Sequence, residues 1–197
     1  MPKFITKNFT SKNHFKGFTI TELLIGIAIV GILTAIASPS LSSFMVQSRV
    51  DNEVSEMHRL LLSARNSAIN SGKSVTICPL SGTSCTKNWQ NELSVFINSD
   101  NTLANNKSYD AANEELIKIK GGIANNDTLI FSQDIITFSP TGRLISGGNG
   151  RFSYCPKDHS ELSRGVEISL SGRIYATSDT DNDNKDENRD GTDVSCL

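Results

Sequence analysis

A chain of 197 residues, 37% hydrophobic and 20% charged, holds one modest globular domain plus an anchor. Its formal charge of -2 gives no bulk positive charge of the kind a nucleic-acid binder uses. The charge is unevenly spread. Residues 1–17 carry Lys3, Lys7, Lys12 and Lys16 and no acid, a formal +4, so the chain without them stands at about -6. Residues 18–37 (FTITELLIGIAIVGILTAIA) then form an apolar run of twenty with one carboxylate, Glu22. That is the length a helix needs to cross the hydrocarbon core. The basic flank marks the cytoplasmic side, so the rest of the chain is expected on the other side. A charge inside such a span costs about 2.5–3.5 kcal/mol at its centre on insertion scales, so a carboxylate there is expected to have a partner and a task. The alternative is a Glu22 that sits at headgroup level. A removable secretory signal is a third reading, with Ala35-Ile36-Ala37-Ser38 as a loose cleavage site, but it leaves Glu22 without a role.

The next segment, residues 40–72, reads as a continuation of the helix beyond Pro39, which is expected to bend or loosen it. Leu41, Phe44, Met45, Val54, Met57, Leu61, Ala64 and Ala68 recur at helical spacing, with Ser48 and Asp51 bridging a gap in the stripe. Arg49, Asn52, Glu53, Glu56 and Arg59 fall on other faces. Gly72 after Asn70-Ser71 suits a left-handed C-cap. The stripe is expected to pack against a head.

From residue 73 onward the pattern changes to short β-like runs between Asn, Ser, Asp and Gly clusters. The expected strands are 74–78, 93–97, 116–120, 128–131, 135–138, 143–145, 151–155, 166–170 and 173–177. Loops are expected at 98–113, 139–142 and 146–150. The fold class is α+β: a long N-terminal helix, half in the membrane and half amphipathic, on an antiparallel sheet.

All four cysteines follow the span, so export to an oxidising compartment makes disulfides the default. Three pairings exist. Cys78 with Cys85 closes a short loop containing Pro79, Gly82 and Ser84, which leaves Cys155 with Cys196 to tie the C-terminus to the head. Their spacing matches no common zinc pattern. No catalytic constellation stands out: His14, His58 and His159 are single, and there is no Gly-x-Ser-x-Gly elbow or Walker-type loop. Residues 179–197 hold seven acids against Lys185 and Arg189. Acids at Asp179, Asp181, Asp183, Glu187 and Asp190 occupy positions one, three, five, nine and twelve of a calcium loop, with Asn184 in place of the glycine at six. Calcium is therefore the one candidate cofactor, with Asp179, Asp181, Asp183 and Asp190 as its ligands. A flexible, solvated acidic tail is the favoured alternative.

Lys16-Gly17 followed by Phe18-Thr19-Ile20-Thr21-Glu22, the apolar run and Pro39 resemble the class III signal of type IV pilins and pseudopilins. The resemblance implies a leader of residues 1–17 cut after Gly17 by a prepilin peptidase, and an N-methylated Phe18. It also implies a transmembrane half of the helix over 18–39, an amphipathic half over 40–72 and a periplasmic head over 73–197. Glu22 would pair with the amino terminus of a neighbouring Phe18. In the head, Cys78-Pro79, Cys85, Trp89, Val95-Phe96-Ile97, the Ile136–Gly142 turn, the strand to Cys155 and Ser171-Gly172-Arg173 are similar in order to the GspH/FimT family. Minor pilins and minor pseudopilins make up that family. Its implied function is as a structural subunit of a type IV pilus, with a type II secretion pseudopilus as the alternative. The implied partners are other pilins, the peptidase, inner-membrane assembly machinery and membrane lipid, and the implied place is the inner membrane and then the fibre, at its tip. A DNA-uptake branch of the family grips DNA through Gly-Arg-x-Arg. Here the motif reads Gly172-Arg173-Ile174-Tyr175, with Arg164, Arg143 and Arg151 as further candidates. Tyr175 cannot neutralise a phosphate, and DNA is not the favoured partner.

Overall fold

The structure, a computed structural model, describes residues 17–99, 107–124, 126–146 and 149–196, and of residues 37–40 the backbone alone. The expected leader lies outside the described residues except for Gly17. The chain forms two compact units, divided between Ser42 and Ser43. One helix, α1 (Ile20–Ser71), contributes to both, and Pro39 lies within it.

In the first unit α1 begins on a capping box. The Thr19 N–H and hydroxyl both donate to Glu22 Oε2 at 2.9 Å, and the Glu22 N–H donates back to Thr19 Oγ1 at 3.2 Å. Thr-x-x-Glu at this point satisfies amides that have no partner within the helix. Further along, the Thr34 hydroxyl donates to the carbonyls of Val30 and Gly31, so it stays satisfied in apolar surroundings.

In the second unit the helix buries Val46, Val50, Val54, Met57, Leu61, Ala64 and Ala68, at spacings of three and four. The start of this stripe differs from the expected one. Leu41, Phe44 and Met45 are exposed; about 100° per residue places Phe44 and Met45 more than a quarter of a turn from both Val46 and Val50. Those two valines fill the gap that Ser48 and Asp51 were expected to bridge. At its far end α1 stops before Gly72, whose φ of +65° provides the left-handed C-cap.

Two antiparallel sheets cover the helix stripe. The first contains β1 (Val75–Ser81), β2 (Ser84–Cys85), β3 (Leu93–Ile97), β4 (Glu115–Lys120) and β6 (Ile136–Phe138). Its central strand β1 pairs with β3 on one side and with β6 and β2 on the other. The second runs β5 (Thr128–Ile130), β7 (Gly150–Cys155), β8 (Arg164–Ile168), β9 (Ile174–Ala176). The expected strand at 143–145 is reduced to a bridge between Leu144 and Phe138. Expected strand 166–170 sits two residues earlier, because Ser169 and Arg173 close a tight turn in which Gly172 has φ +75°. That turn abuts the one at Gly142: a Cβ on Gly172 would lie 1.8 Å from the Gly142 carbonyl, and the Leu144 N–H donates to Leu170. The two glycine turns thus join the sheets. The core continues through Trp89, whose ring meets Phe131 and Phe152 edge-on at 5.0 Å, while its N–H donates to Gln133.

Ion pairs flank the helix stripe. Arg49 pairs with Asp127 at 2.8 Å, Glu53 with buried Lys120 at 2.7 Å, and Asp51 with Arg164. Asp127 is itself buried and accepts from the Tyr154 hydroxyl. Burial, and then this hydrogen bond, push the Tyr154 hydroxyl well above the usual tyrosine range. Replacing Tyr154→Phe is expected to cost about 1–3 kcal/mol at pH 7, by leaving a buried carboxylate short of a donor. An unfolded tyrosine ionises near pH 10 while the folded one stays neutral, so this contribution is full below pH 10 and is lost as pH rises beyond it. Denaturant midpoints of the two proteins should therefore converge between pH 7 and pH 11. A constant gap would contradict the role given to the hydroxyl.

Candidate functional site

The sequence singles out Gly17, Phe18 and Glu22, and the structure places them at the exposed start of the first unit. Gly17 to Thr19 precede the helix without regular structure, and Phe18 is 89% exposed. Every residue from Gly17 to Ile36 is exposed, isoleucines and leucines included. Such an apolar surface calls for lipid or other helices to cover it. Among the described residues no single helix is long and apolar enough to cross a membrane by itself; the segments Ile20–Ile36 and Leu41–Ser71 pass that test only together. Glu22, read from sequence as a carboxylate awaiting a partner, already closes the capping box through one oxygen, Oε2.

Two of the arginines weighed for DNA are engaged by carboxylates. Arg164 is taken up by Asp51 and Asp186, and Arg151 by Glu167 and Asp190. Arg173 is exposed in the β8–β9 turn beside Tyr175. Its hydrogen bond to the Tyr175 hydroxyl, helped by Arg189, draws that hydroxyl below the usual tyrosine range. The Arg189 guanidinium lies over the Tyr175 ring, 3.9 Å from its centre. Sequence reasoning did not anticipate Arg189 here, because it counted that residue within the acidic tail.

Cys78 is bonded to Cys85 and Cys155 to Cys196. The second bridge anchors a tail that is folded onto β8 and β9. Glu187 forms bridges with Ser178 and Asp193, and Val194 is buried with its N–H on the Asp186 carbonyl. Asp179, Asp181, Asp183 and Glu187 bring carboxylate oxygens within 4.8 Å of one another. Asp190, expected as the fourth ligand, turns to the sheet instead. The Thr192 hydroxyl, and then Arg151, hold its carboxyl down at about 2. The reason is local: the bridge at Glu187 ends the loop at its ninth position, and the chain then reverses through Gly191.

An exposed apolar helix start with a Gly-Phe-x-x-x-Glu segment, joined to a helix-backed antiparallel head, defines a type IV pilin-like protein. Proteins of this class are structural subunits of pilus and pseudopilus fibres. Residues 12–38 match the prokaryotic N-terminal methylation motif, and residues 53–172 match the family described as Type II transport protein GspH. The chain belongs to the GspH family. It is 45% identical over 60 residues to a fimbrial protein of Pseudomonas aeruginosa, a match spanning 30% of this chain and 38% of that protein. With the type IV major fimbrial protein FimA of Dichelobacter nodosus it shares 47% identity over 45 residues, 23% of this chain and 29% of that one. The matched segments thus span well under half of these relatives. The crystal structure of the type IV minor pilin FimU of Pseudomonas aeruginosa superposes with a TM-score of 0.54. That comparison covers 68% of this chain and 92% of FimU at 21% identity, a likeness of fold.

Proposed function

We propose that this chain is a minor pilin or minor pseudopilin, cut after Gly17, that enters its fibre through the pairing of Glu22 with the Phe18 amine of a neighbouring subunit. The observation that carries the reading is the wholly exposed apolar helix start bearing Glu22. Before assembly that helix lies in the inner membrane as a single pass, with the head periplasmic. Its role is non-enzymatic. A type IV pilus and a type II secretion pseudopilus both fit; the FimU-like fold favours the former and the family description the latter. DNA binding has less support, since Arg151 and Arg164 are engaged in ion pairs.

The capping box supplies the test. Glutamine can close a capping box as glutamate does, but it carries no charge. In cells, Glu22→Gln and Glu22→Ala should both insert into the membrane, and both should cross-link to other pilins at least tenfold less than the parent. Normal cross-linking of Glu22→Gln beside failure of Glu22→Ala would assign Glu22 to capping alone and sink the pairing.

A further inference from the structure

We propose that residues 179–187 form a calcium site in which Asp179, Asp181, Asp183 and Glu187 supply carboxylate oxygens. Four carboxylates with oxygens within 4.8 Å of one another repel unless a cation lies among them. Among the described residues the one cation paired to the group is Lys185, 3.4 Å from Asp183 at its edge and shared with Asp193. Among the described residues, Asp179 and Asp181 accept only backbone N–H groups, from Asn182, Asn184 and Asp183.

Glu187 provides the independent observation. Its side chain is buried, at 5% exposure. Oε2 accepts from the Thr180 N–H and hydroxyl, while Oε1 is buried with no hydrogen-bond partner among the described residues. A buried, unpartnered carboxylate oxygen is costly unless something cationic meets it. The donors are all hard oxygens, and the cysteines are closed in disulfides, which excludes a soft-metal site. A short loop with four carboxylates suits the six to eight flexible oxygen contacts of calcium better than the strict octahedron of magnesium. Asn184, at the position where calcium loops carry glycine, has φ +70° and so takes the required turn.

Titration calorimetry of the full chain in detergent micelles, stripped with chelator and then given calcium alone, tests the site. One ion per chain is expected, with a dissociation constant of about 1 mM or below, the range of extracellular calcium modules. Asp181→Asn and Glu187→Gln should each weaken binding at least tenfold, whereas Asp190→Asn should leave it within about twofold. Saturating calcium should raise the thermal midpoint of the parent by about 5 °C and leave Glu187→Gln unmoved. Several results would overturn the proposal: no heat up to about 10 mM calcium, an equal midpoint shift with magnesium, or binding indifferent to Asp181 and Glu187. Loss of binding in Asp190→Asn would also overturn it, by moving the site to the twelve-residue register.

Discussion

Gly17→Val is expected to leave the chain uncut, with the residues before Gly17 still present when the membrane-extracted protein is weighed intact. The effect is all-or-none because a leader peptidase must fit the backbone on either side of the bond it breaks, and a β-branched residue changes that fit. The structure separates this outcome from misfolding. Gly17 lies ahead of the helix in an exposed segment, and among the described residues nothing approaches within 4 Å of the place its Cβ would occupy. Valine there neither strains the fold nor disturbs the capping box, which starts two residues later at Thr19. A block would therefore report recognition alone. It would also remove the free Phe18 amine, so the uncut variant should fail to cross-link to other pilins as Glu22→Gln does. Parent-like processing of Gly17→Val would place the cut elsewhere and undo the reading of Phe18 as the new terminus.

The features legible in the sequence share a property: each depends on residues close together in the chain. The apolar run, the Gly72 cap, the β3 run of Leu93–Ile97 and the turn at Gly142 are local patterns with local causes. What the local sequence leaves open depends on distance or on phase. Phe44 and Met45 are as apolar as Val46 and Val50, and only the position of the sheets decides which face is buried. β2 is two residues long and exists because Leu80 and Ser81 are there to pair with it. Lys120 finds Glu53 across 67 residues, and Asp190 finds Arg151 across 39, which no spacing rule foresees. The capping box is different, because Thr19-x-x-Glu22 is a readable signature. The same glutamate also reads as a charge inside an apolar run, and that second pattern competes with the capping signature for one residue. Glu187 was legible as an acid at position nine, but its burial was not. That burial comes from the β-bridges to Ser178 and Asp193.

Removing the Cys155–Cys196 bridge is expected to be the costliest change in the head. The bridge closes a loop over a sequence separation of 41, for which the chain-entropy relation gives about 4 kcal/mol. The same relation gives about 2.5 kcal/mol for Cys78–Cys85, with its separation of 7. Measured losses usually fall below such figures, so about 2–4 kcal/mol is the expectation for Cys155→Ala/Cys196→Ala. That is a large share of the 5–15 kcal/mol typical of a domain and corresponds to a midpoint lower by roughly 5–15 °C. Alanine is the right replacement at Cys155, because this buried site would leave a serine hydroxyl seeking a partner. The tail would retain buried Val194, the Arg151–Asp190 pair and the contact of Arg189 with Tyr175. Two of those three are exposed electrostatic contacts worth little when the chain is free to leave. Proteolysis should therefore trim residues after about 178 from the double variant while sparing the parent. The comparison belongs in chelator, where no bound cation can hold the loop closed in place of the bridge. A variant within 1 kcal/mol of the parent, with its tail still protected, would show that the noncovalent contacts suffice, and would remove the bridge from the account of how the tail is held.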